Sequence, residues 1–386
     1  MIRTAAVVGT GLIGTSVGLA LTARGVHVHL QDADTAAARI AEARGAGTTA
    51  PSSRPVDLAI LAVPPAQVAT VLQQQQRRLL AYSYTDVTSV KRGPEREVAG
   101  GSADSATFIG GHPMAGAERS GPWAACATLF EGRPWALTPL PRTTRETVNR
   151  ALELVSLCGA VPILMESGVH DHAVAAVSHT PHLVAALMAA QLARISDDAA
   201  RLAGQGVRDV TRIADGDPAL WTQILQANAA AVADVLQDLG RDLEEAVEAL
   251  RTLHEGAAGE RLAAAGRVTR LLAQGRQGRS RISGKHGSAP AVFTPVRVHV
   301  GDRPGELSQL LAEAAALDIN VEDMSIEHAQ QDSTGVVELA VAATAAPVLS
   351  RRLTEQGWDV QHVAASGDVG ETIVRSTKPL AAARLG

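Results

Sequence analysis

The first 21 residues constrain the fold of this chain more than any other stretch. Thr4–Val8 is a short apolar run of the kind that forms a buried parallel strand. The motif Gly9-Thr10-Gly11-Leu12-Ile13-Gly14 follows, and a helical pattern continues through Leu21. The glycines permit a tight turn, close approach of a pyrophosphate and close packing of the helix on the strand. The stretch therefore predicts an α/β Rossmann-type domain that binds a nicotinamide dinucleotide.

A carboxylate follows the second predicted strand. Residues 26–30 are expected to form this strand, which leads into Gln31 and Asp32. Asp32 lies 18 residues after Gly14, near the spacing at which an acid binds a ribose 2′-hydroxyl. Because a carboxylate there repels a 2′-phosphate, NAD is favoured over NADP. Arg39 lies close by and leaves NADP as the alternative.

Three further strands are predicted, over residues 57–62, 84–87 and 107–109. Ligands of open α/β sheets bind beyond the carboxyl ends of the strands. Residues at these ends are therefore candidates for one site together with Asp32: Val63, Pro64, Ser89 and His112. Four consecutive glutamines within residues 72–80 are interpreted as the polar end of a helix, and no chemistry is assigned to them.

His112 stands in the segment Gly110-Gly111-His112-Pro113-Met114-Ala115-Gly116. Its glycines and proline predict a loop held in a defined shape. Two interpretations stay open for the histidine. It is either a structural residue that caps the loop or a general acid–base group beside the nicotinamide.

The middle of the chain is predicted to be all-helical. A helix over residues 144–158 and a last strand over 160–165 are expected to complete the first domain, residues 1–166. Apolar residues then recur at helical spacing through residues 167–275. Such a long run of helices rarely buries its apolar faces alone. It is therefore predicted to form a homodimer.

Histidines of this helical domain were weighed as metal ligands. His179 and His182 lie three residues apart, and His170 and His172 are near. Pro181 distorts that turn, and no acidic residue completes a ligand set. No metal site is therefore predicted.

Two further side chains of the helical domain allow two interpretations each. Arg212 follows Asp209 by three residues, which fits a surface ion pair or a guanidinium that binds a carboxylate. Trp221 fits either the wall of a pocket or core packing. Their position in the chain does not separate these possibilities.

The last part of the chain predicts a small third domain. Residues 276–292 include a polar stretch rich in Gly, Arg and Ser, which is typical of a linker. Residues 293–366 follow the order βαββαβ, which is an α+β arrangement. Residues 367–386 are expected to be a frayed tail.

Composition narrows the classes of function. A chain of 386 residues is expected to form two or three domains, and its formal charge of −5 gives no reason to expect nucleic acid. Cys126 and Cys158 are too few and too far apart for a thiolate metal site and fit buried thiols in a reducing cytosol. Without a run of about 18 apolar residues or room for a signal peptide, the chain is predicted to be cytoplasmic and to have no membrane segment.

Six segments occur in this order along the chain: the glycine motif, residues 88–91 (TSVK), 111–116 (GHPMAG), 178–182 (SHTPH), 208–214 (RDVTRIA) and 217–221 (DP, then Trp221). Taken together they resemble the prephenate dehydrogenase family, which includes arogenate dehydrogenase, as far as about residue 275. The resemblance implies that residues 167–275 bind the substrate, that Ser178 lies near the nicotinamide, that His182 contacts the substrate and that Arg212 binds a substrate carboxylate. Glu118 and Asp209 would be the partners of Arg212 before substrate binds.

The C-terminal βαββαβ order resembles the ACT domain, a small amino-acid-sensing module. The resemblance implies a ligand site in the loop of Asp302 and Gly305 and at Asn320. Tyrosine is the candidate effector, in feedback control. The alternative is a dimerisation domain that binds no ligand.

The family resemblance implies oxidative decarboxylation of prephenate to 4-hydroxyphenylpyruvate, in tyrosine biosynthesis. In this hypothesis NAD takes the hydride from ring C4, and the ring carboxylate leaves as CO2. His112 accepts the hydroxyl proton as a neutral imidazole, which Ser89 holds by a hydrogen bond. The alternatives are an arogenate dehydrogenase, a 3-hydroxyacid dehydrogenase, and a non-catalytic protein that senses NAD or an amino acid.

Overall fold

The computed structural model describes residues 1–116, 121–282, 293–301, 303–328 and 334–361. The chain divides into two compact units, Met1–Arg281 and Ile282–Gly386. The boundary between them falls within the predicted linker. The finer division of the first unit at residue 166 stays a prediction.

A seven-stranded sheet forms the centre of the first unit, in the order β2-β1-β3-β4-β5-β6-β7. The pairs from β2 to β5 are parallel, β6 runs antiparallel to β5, and β7 is parallel to β6. A parallel sheet needs a crossover between successive strands, and helices supply most of these. The strands are β1 (Thr4–Val8), β2 (His27–Gln31), β3 (Val56–Leu61), β4 (Ala81–Asp86), β5 (Phe108–Pro113), β6 (Pro134–Pro139) and β7 (Val161–Leu164).

Helices cover both faces of this sheet, and the alternation of side chains along β1 shows why. Val7 packs in one buried cluster with Leu21 of α1 and Leu154 of α5, and Val8 packs in the other with Leu72 of α3. Burying both faces explains why β1 and β3 are almost continuously apolar. The helices are α1 (Leu12–Ala23), α2 (Thr35–Ala43), α3 (Val68–Arg77), α4 (Arg92–Gly100) and α5 (Arg145–Leu157).

Strand β6 was not predicted, and the segment around His112 was predicted wrongly. Prolines at both ends of β6, Pro134 and Pro139, argue against a central strand in the sequence. Residues 110–113 of the predicted loop are in fact the end of β5, where His112 pairs with Ala136, whereas residues 114–116 lie outside the strand. The glycines serve close approach instead: a Cβ on Gly111 would lie 2.6 Å from the backbone oxygen of Asp86.

Helices make up the rest of the first unit. The run from Ser167 to Leu192 contains a π-helical turn, Ala175–His179, between α6 and α7. Among the described residues this run alone is long and apolar enough to cross a membrane, which departs from the sequence-based expectation of no such segment. It is weak support for a membrane span, because core helices pass the same test. The helices are α6 (Ser167–Val174), α7 (Thr180–Leu192), α8 (Asp197–Ala200), α9 (Gln205–Thr211), α10 (Pro218–Ala227), α11 (Ala229–Glu255) and α12 (Ala258–Ser280).

The second unit has the predicted βαββαβ order. Its antiparallel sheet has the order β11-β8-β10-β9, and Leu310 and Leu349 of its two helices join the buried cluster of that unit. The linker prediction was too long at its start, because residues 276–280 belong to α12. The elements are β8 (Phe293–Gly301), α13 (Glu306–Ala316), β9 (Val321–His328), β10 (Thr334–Ala342), α14 (Ala346–Glu355) and β11 (Asp359–Gln361).

The two cysteines have different surroundings. Cys158 is buried, and burial raises the pKa of its thiol to about 12. Cys126 is exposed, so the expectation of two buried thiols was wrong for this residue. A hydrogen bond with the Thr128 side chain lowers the pKa of the Cys126 thiol.

Candidate active site

The glycine motif has the geometry that its sequence predicts. Gly9 has φ +101°, and a Cβ there would lie 2.1 Å from the Ala62 carbonyl oxygen. A Cβ on Gly14 would lie 1.9 Å from the Gly9 oxygen, so α1 packs directly on the turn. Gly11 faces open space at the first turn of α1. Open space above helix amides is where a pyrophosphate fits.

Asp32 lies at the end of β2 beside this turn. Its Oδ2 accepts hydrogen bonds from the Thr10 amide, at 2.6 Å, and the Thr10 hydroxyl, at 2.8 Å. Its Oδ1 accepts from the Asp34 amide at 2.8 Å. The carboxylate is therefore fixed in position beside the dinucleotide turn, where it can accept from a ribose hydroxyl.

Two cavities meet at the turn. One, of about 460 Å³, contains Asp32 and Pro64, and the other, of about 450 Å³, contains Ser89 and His112. Gly11 and Val63 line both. A dinucleotide bound across the turn would therefore place one nucleoside in each cavity, and the residues present fit such a cofactor. Leu12, Ile13 and Gly14 line the His112 cavity.

The glutamine run, to which the sequence assigned no chemistry, contributes to the Asp32 cavity. Side chains on one face of α3 and of the short helical turn before it line the same cavity as Asp32 and Ala33. They are Gln67, Val71, Gln74 and Arg78. These residues follow the i, i+4, i+7, i+11 spacing of one helix face. That spacing is the signal that could have identified them, once the cavity was known to lie beside the helix.

His112 lies in β5, with its imidazole at the edge of the second cavity. Its Nδ1 is 2.9 Å from Nε2 of His170 in α6. The two rings meet edge to face, at 70°. Among the described residues the structure has no hydrogen bond between His112 and Ser89, although both line this cavity. The partner of the imidazole is therefore His170, and the predicted role of Ser89 in holding it is not supported.

His170 in turn contacts the carboxylate of Asp171. Its Nδ1 lies 2.8 Å from Asp171 Oδ1, and His170 is only 1% exposed. The same carboxylate accepts hydrogen bonds from the backbone amides of Lys91, at 2.8 Å, and Arg92, at 2.9 Å. Sequence analysis missed this pair, because nothing in the chain places residues 170 and 171 beside residue 112.

The pKa of His112 lies well below its usual range. Burial is the largest cause, and the nearby charge of Lys91 and then His170 and His179 lower the pKa further. The imidazole is therefore neutral at neutral pH. A neutral imidazole has a lone pair for a proton. The sequence-based expectation of a neutral base agrees with this environment.

A buried ion pair contacts the backbone of β5. The Lys91 ammonium pairs with the Asp86 carboxylate, and both side chains are at most 1% exposed. Lys91 Nζ also donates to the Gly111 carbonyl at 2.6 Å, and Asp86 Oδ1 accepts from the Gly111 amide at 2.9 Å. The pair therefore holds the strand one residue before His112.

The predicted substrate residues form a second group in the helical region. His182 stacks on Trp221, with ring centroids 3.5 Å apart. His182 is buried, and Trp221 and Ser178 are partly buried. Leu220 and Ile224 of α10 line the His112 cavity. The described residues that line it do not include Ser178, His182, Arg212 or Trp221.

Arg212 is exposed, and the expected pair with Asp209 does not form within the described chain. Asp209 instead accepts a hydrogen bond from Gln205 at 2.8 Å. Glu118, the other expected partner of Arg212, lies outside the described residues. The arginine is thus accessible to an anionic ligand.

The histidines of the helical region have partners other than a metal. His179 Nδ1 is 3.1 Å from the Asn228 amide nitrogen, which also donates to the Asp171 carbonyl at 2.8 Å. His172 is exposed. Over the ranges that the structure describes, no group of three or more His, Cys, Asp or Glu side chains could hold a metal ion.

Comparison with known families decides between the interpretations. Residues 17–164 match the family described as "Prephenate dehydrogenase, nucleotide-binding domain", and residues 166–264 match "Prephenate dehydrogenase, dimerization domain". The chain belongs to the prephenate dehydrogenase family. As the family resemblance predicted, it has an NAD-binding Rossmann-like domain and a helical dimerisation domain.

Individual members of the prephenate dehydrogenase family span most of this chain. The probable prephenate dehydrogenase NovF of Streptomyces niveus is 39% identical over 358 residues, which is 92% of this chain and 99% of that protein. The prephenate dehydrogenase of Bacillus subtilis is 28% identical over 345 residues, 86% of this chain and 90% of that protein.

Solved structures agree with the fold. Synechocystis arogenate dehydrogenase is 27% identical, with a TM-score of 0.59 over 72% of this chain and 98% of that one. Prephenate dehydrogenase from A. aeolicus, solved with hydroxyphenyl propionate and NAD+, is 24% identical, with a TM-score of 0.62 over 73% and 99%. The second comparison supports the fold alone.

Two of the three residues predicted for the ligand site of the C-terminal unit lie in the described chain. Gly305 has φ +97° at the start of α13, and Asn320 Nδ2 lies 3.4 Å from Glu322 Oε2. Asp302 lies outside the described residues. A left-handed glycine before a helix suits a tight loop, and it does not by itself identify a ligand.

Proposed function

We propose that this protein oxidises prephenate with NAD and releases CO2 and 4-hydroxyphenylpyruvate. Prephenate dehydrogenase activity and NAD dependence accord with the family to which the chain belongs. One observation carries the proposal for the site: the neutral imidazole of His112 lines the same cavity as the glycine motif. The proton acceptor and the hydride acceptor can therefore face one substrate carbon.

The chain supplies position and a base. Bound NAD supplies the hydride acceptor. The amides at the start of α1 would hold the pyrophosphate, and the Asp32 carboxylate would accept from the ribose hydroxyl. His112 would take the proton of the C4 hydroxyl as that carbon loses its hydride. Loss of CO2 makes the ring aromatic, so the protein needs mainly to orient and deprotonate the substrate.

Leu220 and Ile224 supply the apolar wall of the cavity that a ring would contact. Apolar walls exclude water from the reacting carbon. Ser89 lines the same cavity, and its hydroxyl is proposed to contact the nicotinamide or the substrate rather than the His112 imidazole. These roles remain part of the proposal.

Arg212 is proposed to bind a carboxylate of the substrate. Prephenate carries two carboxylates, and a guanidinium binds a carboxylate through paired hydrogen bonds. Support comes from the exposure of Arg212 and from its lack of an ion pair within the described chain. His182, Ser178 and Trp221 are proposed to complete the side-chain pocket, together with Glu118.

Arogenate is the alternative substrate, and the similarity to Synechocystis arogenate dehydrogenase favours keeping it. Arogenate has an ammonium where prephenate has a keto oxygen. Burial lowers the pKa of His182, so its imidazole is neutral and offers both a donor and an acceptor. Such a group serves either side chain, so His182 does not by itself favour prephenate over arogenate.

Following NADH absorbance tests the proposal directly. Prephenate and arogenate are each supplied with NAD and then with NADP. The expected result is turnover of prephenate with NAD, at a kcat/KM well above the other three combinations. Turnover of arogenate alone would reverse the substrate assignment, and no turnover of either would overturn the proposed function.

A homodimer built on the helical domain is part of the proposal. Leu187, Leu243 and Leu272 are 54%, 63% and 67% exposed in the single chain. Apolar side chains this exposed on helices of one region favour a partner surface. The family description of residues 166–264 as a dimerisation domain supports the same assignment.

Two further points are proposed on weaker support. The C-terminal unit is proposed to act as an ACT-like domain that binds tyrosine near Gly305 and Asn320, because its βαββαβ order fits that module. An unchanged rate across a tyrosine titration would contradict feedback control. A cytoplasmic location is proposed from the metabolic role of the family.

A further inference from the structure

We propose that His170 and Asp171 are positioning residues that fix His112 in one tautomer, with Nδ1 protonated and Nε2 free to accept the substrate proton. The inference rests on the proposed function for the identity of that proton. The tautomer itself depends only on the structure. His170 was considered only as a metal ligand in the sequence, and Asp171 was not a candidate.

The Asp171 carboxylate is ionised. Burial alone would raise its pKa, but hydrogen bonds from His170 and from the backbone amides of Lys91 and Arg92 lower it overall. An ionised carboxylate can only accept hydrogen bonds. The nitrogen 2.8 Å from Asp171 Oδ1, which is His170 Nδ1, must therefore carry a hydrogen.

A neutral imidazole has one donor and one acceptor nitrogen. With Nδ1 of His170 as the donor, its Nε2 is the acceptor. That acceptor lies 2.9 Å from Nδ1 of His112, so the hydrogen between the two rings belongs to His112. The remaining nitrogen of His112, Nε2, then has a lone pair.

Different elements fix His112 and Asp171, which lie at the two ends of this series of hydrogen bonds. His112 is fixed by its pairing with Ala136 across the sheet. Asp171 is fixed by the first two amides around the start of α4 and, through its carbonyl, by Asn228 at the start of α11. The His112–His170 hydrogen bond therefore joins the sheet to the helical region.

The same arrangement accounts for the charge that forms during turnover. When Nε2 of His112 takes the hydroxyl proton, the ring becomes an imidazolium and keeps its Nδ1 hydrogen. His170 Nε2 then accepts from a cation, which is a stronger hydrogen bond. The Asp171 carboxylate stays ionised and stabilises that cation through His170, as the buried aspartate does in a catalytic triad.

Replacing the carboxylate by an amide removes the charge that requires His170 Nδ1 to carry a hydrogen. In Asp171→Asn the side-chain NH2 can donate to His170 Nδ1, which makes His170 Nε2 a donor and His112 Nδ1 an acceptor. His112 Nε2 then carries the hydrogen and cannot act as a base. We expect kcat to fall about 10³–10⁴-fold, as in the corresponding triad variant of another enzyme, with KM for NAD and prephenate within about threefold.

Two substitutions of His170 separate positioning from folding. Gln can accept from His112 and donate to Asp171, whereas Leu can do neither. We expect His170→Gln to retain kcat within about tenfold and His170→Leu to lose about 10²–10⁴-fold. His172→Gln, at an exposed histidine of the same helix, is the matched control and should behave as the wild type.

The tautomer can be observed directly by ¹⁵N NMR of the imidazoles in the full-length protein. We expect the His112 signals to show a protonated Nδ1 and an unprotonated Nε2 in the wild type, and the reverse in Asp171→Asn. A protonated Nε2 in the wild type overturns the inference, as does equal turnover of the Gln and Leu variants. Because NMR needs no substrate, it distinguishes this failure from a failure of the proposed function.

Discussion

The imidazole of His182 lies flat on the indole of Trp221, with ring centroids 3.5 Å apart and ring planes 10° from parallel. The contact joins α7 to α10, the helix whose Leu220 and Ile224 line the His112 cavity. Gly216 lies against both rings. A Cβ there would be 2.4 Å from Trp221 Nε1 and 2.7 Å from His182 Cε1.

Gly216→Ala should therefore separate the two rings. The backbone at Gly216 has φ −62° and ψ 147°, which alanine adopts without strain, so the effect comes from the clash. Overpacking of this kind costs about 1–3 kcal/mol of stability. We expect KM for prephenate to rise about tenfold. Gly206→Ala, which meets no atom within 4 Å, is the control and should leave KM unchanged.

His112→Asn removes the base and should leave the cavity intact. We expect kcat to fall about 10²–10⁴-fold with KM for prephenate nearly unchanged. Steady-state kinetics measures both quantities. An unchanged turnover number would show that another group takes the proton.

The pH dependence follows from the lowered pKa of His112. The imidazole accepts a proton only when neutral, so activity is present above its pKa and falls as the pH drops through it. Burial and the charge of Lys91 place that pKa well below 6.5. We expect the acid limb of kcat/KM to lie below pH 6.5. An acid limb above that value would contradict a desolvated base.

Arg212→Gln should weaken substrate binding more than chemistry. Loss of a charge-assisted pair with a carboxylate costs about 1.5–3 kcal/mol, so KM should rise about 10–100-fold with kcat changed far less. Arg201→Gln is the matched control, because Arg201 forms a solvent-exposed pair with Asp198. A fall in kcat alone would give Arg212 a different role.

Lys91→Met tests the ion pair beneath β5. Removing the ammonium leaves the buried Asp86 carboxylate without its partner, which typically costs about 3–5 kcal/mol. Urea denaturation should show this loss in the free energy of unfolding. Adding Asp86→Asn should recover part of it, because the second change removes the unpaired charge. If the double variant is no more stable than the single one, the pair is not the cause.

Local pattern was sufficient to predict much of the fold. Five parallel strands, the glycine turn and the βαββαβ unit each follow from apolar runs and glycine spacing. Strand β6 could not be predicted, because prolines such as Pro134 and Pro139 are typical of interruptions in a strand. The two glycines before His112 suggested a loop, whereas both lie in β5 where a Cβ has no room. A Cβ on Gly111 would meet Asp86 and Thr85, and a Cβ on Gly110 would meet Thr138 and Glu95.

The residues of the candidate site could be predicted only where each lies near the carboxyl end of a strand. Asp32, Pro64, Ser89 and His112 could be placed together by topology alone. The His170–Asp171 pair could not, since its contact with His112 spans 58 residues and depends on how α6 packs. The residues of α3 that line the Asp32 cavity could not be predicted either, because their position depends on how that helix packs.

The position of His112 within a strand has a consequence for how the site opens. Both neighbours of β5 restrain it, β4 through Phe108 and Ile109 and β6 along its remaining length. The backbone that carries the base therefore shares the rigidity of the sheet. Leu220 and Ile224 line the same cavity from α10, a helix outside the sheet. We expect widening of the cavity for product release to involve that helix more than β5.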